Sequence, residues 1–428
     1  MTATSETESN GTTDAGSAAN WFDEARFGMF VHWDHASQQG LELSWPLVGG
    51  VFALPLCQSV SVEQYHSSAA TFDPRGWDPR RLARLARETG MGYVVLTAKH
   101  HSGYALWHTR ESDFSIEHSP YGSDIVAGFV EAVRDEGLRV GLYFSLSDWH
   151  HPDYPPFRES DKPYVVGASP PAPSPEQWER YLVSMTAQIT ELLTNYGQID
   201  LLWFDGGWER SDWQATRVEE TIRRLQPSIL LNDRLPGVGD VATPEQFVPD
   251  AAPDGRWETC LTMNHSWGWN PEDTDYKSAR SLVHTLCEVA GRGGNLLLNV
   301  SPQGDGTLPR QQIERLEALG RWMAANGDSI RGTASGLEPH QFYGPSTTGA
   351  GVLYLHLLLR PYDSVDVRSV PVRRIRSVRE LATGRALSFR VHTGLIEGLM
   401  PDPHGTLTIE VPSDVIGEQT TVIALEVD

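Results

Sequence analysis

Leu201-Leu202-Trp203-Phe204-Asp205-Gly206-Gly207-Trp208 is the stretch on which the fold turns. A short apolar run ends in one carboxylate, followed by two glycines and a tryptophan. Apolar runs of about four to eight residues closed by glycine read as buried parallel strands. A carboxylate at the C-terminal end of such a strand stands where barrel enzymes keep their catalytic groups. An oriented Asp among aromatic rings suits attack on a sugar carbon. The competing reading is a turn residue, since Asp-Gly is a common turn pair, and the rest of the chain decides between the two.

Around this segment, strand and helix patterns alternate from Trp21 to about Thr333. Strands are expected at Phe27–Trp33, Tyr93–His100, Arg139–Ser145, Leu201–Asp205, Ile229–Asp233, Trp257–Met263 and Asn295–Ser301. Between them, 78–89, 124–136, 177–196, 213–225, 278–289 and 310–325 place apolar residues on one helical face, as Leu82, Leu85 and Ala86 do in the first. Alternating strands and helices imply parallel βα units. Seven strands over roughly 300 residues suit a (β/α)8-like barrel with one irregular unit better than an open sheet. After Gly336 the helical period disappears. Short strands at 351–359, 365–372, 386–391, 406–411 and 421–427 predict a C-terminal antiparallel β-sandwich. The expected organisation is a tail over 1–20, a catalytic barrel over 21–335 and a sandwich over 336–428, the last a packing unit that could also bind carbohydrate. Asp153 to Pro175, rich in proline, reads as a loop over one barrel face.

Composition narrows the function. The 428 residues carry a formal net charge of -22, which argues against nucleic acid or an anionic membrane as partner and says nothing about a neutral substrate. Fourteen Trp supply flat faces that suit sugar rings or core packing. Cys57, Cys260 and Cys287 form neither a disulfide framework nor a zinc motif. Met1 to Asn20 has no basic segment and no apolar core, so it reads as a disordered tail rather than a signal peptide. No run reaches membrane-spanning length. The expected location is cytoplasmic, with non-classical export left open.

The strand ends carry the chemistry. His32 ends the first, His100-His101 the second, Tyr143 lies near the end of the third, Asp205 ends the fourth and Arg234 follows the fifth. Glu245 lies in the next loop, Glu258 in the sixth strand, and Trp267 shortly after it. In a barrel these converge on one face, and aromatic walls with several His and two carboxylates suit a neutral sugar. Adjacent strand residues face opposite sides, so both His100 and His101 reach a ligand only at a strand tip. His32, His100, His101 and Asp205 could instead form a zinc or iron set, although their spacing matches no metal motif. Hydrolysis of a glycoside needs two carboxylates, one attacking and one protonating the leaving group. Asp205 suits the nucleophile, kept ionised by nearby His and Arg. Glu245 and Glu258 compete for the acid, Glu258 reading more naturally as a buried structural carboxylate.

The chain resembles the α-L-fucosidases of glycoside hydrolase family 29. The resemblance runs from Trp21 to about Thr333, through Arg26-Phe27-Gly28-Met29-Phe30-Val31-His32-Trp33, Leu96-Thr97-Ala98-Lys99-His100-His101-Ser102-Gly103-Tyr104-Ala105-Leu106-Trp107, Gly141-Leu142-Tyr143-Phe144-Ser145-Leu146, Trp203-Phe204-Asp205-Gly206, Asn232-Asp233-Arg234, Trp257-Glu258-Thr259-Cys260, Ser266-Trp267-Gly268-Trp269-Asn270 and Gly293-Gly294-Asn295-Leu296-Leu297-Leu298-Asn299-Val300. It implies a (β/α)8-like barrel followed by a β-sandwich and a retaining, two-step hydrolysis without metal or other cofactor. Asp205 stands at the nucleophile position and Glu245 at the acid/base position of many members. His32, His100, His101 and Arg234 match fucose-binding positions, as do Tyr143, Trp45 and Trp267. The implied substrate is a fucosylated oligosaccharide or glycoconjugate, and self-association is left open. Thr243-Pro244-Glu245-Gln246 and Leu261-Thr262-Met263-Asn264 are similar to the branch acting on α-1,3/1,4-linked fucose. The chain departs from the family at Asp34, where Gly is usual, at Ser102, where Asp is usual, and near Trp45, where an acidic-aromatic pair is usual and Ser44-Trp45-Pro46-Leu47 stands. These changes leave a related sugar such as L-galactose, or transfer to acceptors, as alternatives.

Overall fold

The computed structural model describes residues 20–49, 60–155, 158–163 and 172–428. Most of the expected N-terminal tail, Cys57 and part of the proline-rich loop therefore lie outside the described residues. Asn20, placed in the tail from sequence, begins a short helix, Asn20–Ala25.

Eight parallel strands form one ring: β1 (Phe27–Val31), β2 (Tyr93–Lys99), β3 (Arg139–Ser145), β4 (Leu201–Asp205), β5 (Leu230–Leu231), β6 (Val241–Ala242), β7 (Arg256–Leu261) and β8 (Asn295–Val300). Each pairs with its sequence neighbour, and β8 returns to β1. The ring closes between β5 and β6 through one parallel bridge, Asn232 to Val241. The Asn232 side chain also ties this weak seam to β4, accepting from Phe204 N–H at 2.7 Å and donating to Phe204 O at 2.9 Å. The expected barrel stands, with eight strands rather than seven. The missed β6 has two residues, too short for a period-two pattern to register.

Six helices follow the sequence expectation closely: α1 (Pro79–Thr89), α2 (Ile125–Asp135), α3 (Pro175–Asn195), α4 (Ala215–Leu225), α5 (Ala279–Gly291) and α6 (Arg310–Asn326). Asp78, Asp124, Ser174 and Ser278 accept backbone N–H groups at four of their N-termini, each such cap contributing about 1 kcal/mol. No helix connects β5 to β6 or β6 to β7, so two successive units are irregular, not one. Pro236, Gly237, Gly239, Pro244, Pro249, Pro253 and Gly255 explain this, since proline removes a helical donor and glycine costs backbone entropy.

The barrel has two apolar layers. Phe30, Tyr93, Val95, Tyr143, Trp203, Cys260 and Leu297 fill its interior, while residues such as Val94, Leu96, Leu142 and Leu202 pack outward on the helices. The alternation follows the strand pleat. The Asn20–Ala25 helix adds Phe22 to the interior layer, and Asn295 Nδ2 holds it through Phe22 O at 2.9 Å. At Gly28 an added Cβ would lie 2.4 Å from the Tyr93 ring, so only glycine lets that ring fill the barrel.

The C-terminal region has an antiparallel five-stranded sheet, ordered β13-β16-β11-β10-β9, and a three-stranded sheet, ordered β12-β15-β14. The strands are β9 (Ala334–Ser335), β10 (Ser346–Gly349), β11 (Val352–Leu357), β12 (Ser364–Pro371), β13 (Ile375–Glu380), β14 (Phe389–His392), β15 (His404–Glu410) and β16 (Thr421–Val427). Leu355, Val367, Leu407, Ile409 and Ile423 lie in the core between them. Sequence missed β13 because Ile375-Arg376-Ser377-Val378-Arg379-Glu380 carries three charges in six residues. Among the described residues no helix is long and apolar enough to cross a membrane.

Candidate active site

β4 ends at Asp205, and Gly206 leaves it with φ +77°. A Cβ at Gly206 would sit 2.6 Å from Ser147 Oγ. Glycine lets the chain turn away here and leaves the carboxylate over the barrel mouth. Asp205 Oδ2 accepts the Tyr143 hydroxyl at 2.9 Å, and Oδ1 accepts Arg234 Nη1 at 3.2 Å. Burial pushes the Asp205 carboxyl up, while the Arg234 charge, the Tyr143 hydroxyl and the Gly206 N–H hold it down.

Arg234 is the centre of the arrangement. Its Nη2 donates to Glu245 Oε2 at 3.0 Å, so one guanidinium holds both candidate catalytic carboxylates. Bonds to Thr243 Oγ1 (3.1 Å) and Thr243 O (3.0 Å) orient the fork, and the group lies 5.2 Å from the Trp203 ring centre. Glu245 stands beside β7, fixed by Cys260 N–H to Pro244 O (3.2 Å) and Gln246 N–H to Cys260 O (2.9 Å). Burial and the nearby charge of Asp205 raise the Glu245 carboxyl, and Arg234 opposes them.

Glu258 is placed differently. It is fully buried, takes the Tyr93 hydroxyl on one oxygen (2.5 Å) and the Trp203 indole N–H on the other (2.9 Å), and burial pushes it up to about 7. Glu245 lines the pocket and Glu258 does not. Glu258 instead anchors Trp203, which stacks on Tyr143 at 5.6 Å.

The three histidines are held from behind through Nδ1. His32 Nδ1 lies 2.7 Å from Asn299 Oδ1, and Asn299 Nδ2 donates to Trp267 O at 2.7 Å. With the Asn amide oriented by that second bond, its oxygen accepts, so His32 carries its proton on Nδ1 and offers a bare Nε2. His101 repeats the logic. The Ser145 hydroxyl donates to Ser147 O at 2.8 Å, so it accepts from His101 Nδ1 at 2.6 Å. His101 Nε2 then faces Asp205 Oδ2 at 3.6 Å as an acceptor without a hydrogen-bond partner among the described residues. His100 Nδ1 pairs with Ser44 Oγ at 2.7 Å. Burial lowers all three, His32 and His101 to about 3 and His100 well below its ordinary value. This corrects the expectation that nearby His would keep Asp205 ionised. They are neutral acceptors or donors for hydroxyls, and the countercharge comes from Arg234.

The pocket is lined by Phe30, His32, Trp45, His100, Tyr143, Trp203, Asp205, Glu245, Cys260 and Trp267. Seven of the nine residues singled out from sequence line it. The other two, His101 and Arg234, reach it through Asp205. Trp267 is locked by Glu42, which accepts its N–H at 2.6 Å and that of Gly268 at 2.7 Å. Trp45 runs parallel to half-exposed Trp208, 6.5 Å away. Sequence reasoning missed Phe30, Trp203 and Cys260 as lining residues. The pleat carries the signal for the first two: Phe30 and Trp203 lie two residues before His32 and Asp205, on the same strand face.

Asp34, Ser102 and Ser44 form one connected chain. Ser102 Oγ lies 3.5 Å from Asp34 Oδ2, Ser102 N–H donates to Ser44 Oγ at 2.7 Å, and Ser44 holds His100. Together they support His100 from behind the pocket. Among the described residues no group of three His, Cys, Asp or Glu side chains is arranged to hold a metal ion.

The family model described as α-L-fucosidase matches residues 2–328. The tissue α-L-fucosidase of Bos taurus is 33% identical over 335 residues, covering 72% of this chain and 68% of the relative. Among solved structures, α-L-fucosidase isoenzyme 1 from Paenibacillus thiaminolyticus superposes with a TM-score of 0.83 at 34% identity, covering 97% of this chain and all of its own. A family 29 α-L-fucosidase from Bacteroides thetaiotaomicron, a trapped covalent intermediate in complex with 2-fluoro-fucosyl fluoride, gives a TM-score of 0.81 at 25% identity and covers 100% of this chain and 98% of its own.

Proposed function

The chain belongs to the α-L-fucosidase family, and on that footing we propose that it is a retaining exo-α-L-fucosidase with Asp205 as nucleophile and Glu245 as general acid/base. The observation that carries the assignment is the shared guanidinium: Arg234 contacts Asp205 and Glu245 at 3.2 and 3.0 Å. Double displacement uses two carboxyl groups about 5–5.5 Å apart, and two carboxylates on one fork are close neighbours.

Asp205 attacks the anomeric carbon while Glu245 protonates the departing oxygen. Attack turns the Asp205 carboxylate into an ester and removes its charge. That charge is one of the two causes that raise Glu245, so in the intermediate Glu245 ionises more readily and takes a proton from the incoming water. Neutral His32 presents a bare Nε2 to the sugar hydroxyls, and His101 stands behind Asp205. Phe30 and Trp267, whose rings lie 6.1 Å apart, offer an apolar wall that suits a 6-methyl group better than the hydroxymethyl of L-galactose. The Thr243-Pro244-Glu245-Gln246 and Leu261-Thr262-Met263-Asn264 segments support α-1,3/1,4-linked fucose as the natural substrate. Hydrolysis of 4-nitrophenyl α-L-fucoside beside α-1,2-, α-1,3-, α-1,4- and α-1,6-fucosylated oligosaccharides tests the reading. Proton NMR of the first-formed anomer should show α-L-fucose released from the α-1,3 and α-1,4 compounds. First-formed β-anomer, or release confined to α-1,2 or α-1,6 compounds, would contradict it.

A further inference from the structure

The free edge of β12 carries a groove that catalysis leaves without a task. β12 pairs with β15 alone, and its ladder slips between Val367 and Val370, where Ser369 takes φ +52°. Bulges of this kind re-aim neighbouring side chains. The segment before β10 runs along this edge, with Arg368 N–H donating to Gln341 O at 2.9 Å and Gln341 Nε2 to Ser369 O at 3.2 Å. Between them lies an open groove lined by His340, Gln341, Tyr343, Ser364, Asp366 and Arg368, among others.

These side chains form a polar ledge beside one aromatic ring. Tyr343 leans on buried Phe342, with ring centres 4.8 Å apart, and remains 54% exposed. Its position is fixed by the sandwich core while part of the ring meets solvent. Asp366 is oriented by the Thr408 hydroxyl, which donates to its Oδ1 at 2.6 Å. Arg374, Arg376, Arg379 and Arg385 of the same region each pair with a carboxylate. The Arg368 guanidinium pairs with none among the described residues.

We propose that this groove binds a neutral oligosaccharide. A pyranose ring has an apolar C–H face, for which Tyr343 supplies a flat partner at small entropic cost. Its adjacent hydroxyls both donate and accept, and Asp366 as acceptor with Arg368 and Gln341 as donors matches that mixture. An acidic glycan would meet Asp366 on the ledge and a chain of net charge -22. Such a site would hold a branched glycan to the molecule and raise its concentration at the catalytic pocket.

The test uses full-length Asp205→Ala protein on an array of neutral, sialylated and sulfated oligosaccharides that all lack fucose, so that the catalytic pocket does not contribute. Neutral chains should be retained. Adding Tyr343→Ala or Asp366→Ala should weaken retention about tenfold or more, whereas Tyr343→Phe should keep it. In the otherwise native enzyme these substitutions should leave aryl fucoside turnover within about twofold, which also reports that the variants fold. The proposal is overturned if no neutral glycan is retained, or if Tyr343→Ala and Asp366→Ala change nothing. Retention of acidic glycans alone, abolished by Arg368→Ala, would replace it with an anion site. Because fucose is absent from the array, its outcome is independent of the catalytic assignment.

Discussion

Replacing Tyr143 with Phe removes one atom and isolates its effect on Asp205, the proposed nucleophile. The hydroxyl donates to Asp205 Oδ2 at 2.9 Å, and the ring is buried and stacked on Trp203, so Phe occupies the same space. Burial raises the Asp205 carboxyl while Arg234, Tyr143 and the Gly206 N–H lower it. A hydrogen bond to a charged acceptor is worth about 1.5–3 kcal/mol, and one pH unit corresponds to about 1.36 kcal/mol. Losing the Tyr143 donor should therefore raise Asp205 by about one to two units. In the proposed mechanism the ionised form attacks, so the acidic limb of kcat/KM should move up by the same amount and activity should fail sooner as pH drops. The basic limb, which reports the protonated form of Glu245, should barely move. The assay is kcat/KM for 4-nitrophenyl α-L-fucoside from about pH 4 to about pH 9, with circular dichroism confirming the fold. An acidic limb within about 0.3 unit of the wild type, or a displaced basic limb with the acidic one fixed, would refute the reasoning.

Three further outcomes follow from the geometry. Glu245→Ala should cost about 10²- to 10⁴-fold on natural glycans and far less on aryl fucosides with good leaving groups, which need little protonation. If Glu258→Ala instead removes activity while folding normally and Glu245→Ala does not, the acid is misassigned. Glu258 is raised to about 7 in the folded state, so the folded protein holds this proton more tightly than the unfolded chain does. Its contribution favours folding at low pH and is lost as pH climbs from the ordinary carboxylate range through about 7, a change of roughly 2–4 kcal/mol. Urea unfolding of Glu258→Gln at several pH values should show that slope flattened, and an unchanged slope would assign it to other groups. Extensive dialysis against EDTA should leave full activity, and loss restored by zinc would revive the metal reading built on His32, His100, His101 and Asp205.

The barrel was legible because its long strands are buried on both faces and its helices are amphipathic, two patterns that survive in one dimension. Tyr93-Val94-Val95-Leu96-Thr97-Ala98-Lys99, buried at every position, is the clearest case. Val241–Ala242 was not legible, because two residues carry no period. The charged β13 was hidden for another reason: Arg376, Arg379 and Glu380 mask its apolar residues, and it pairs with β16 through its backbone. Strand-end logic brought His32, His100, Tyr143 and Asp205 to one pocket. It did not foresee that the histidines are neutral, since that depends on burial and on partners such as Asn299, Ser44 and Ser145, distant in sequence. Nor did it show that Asp34, Ser102 and Ser44 touch, a relation that only folding across 68 residues creates.

The most direct test of the central claim is to trap the intermediate. The native enzyme treated with 2-fluoro-fucosyl fluoride should gain the mass of one 2-fluorofucosyl group, and peptide mapping should place it on Asp205, with no adduct in Asp205→Ala. A label on any other carboxylate, or continued turnover by Asp205→Ala, would contradict the account.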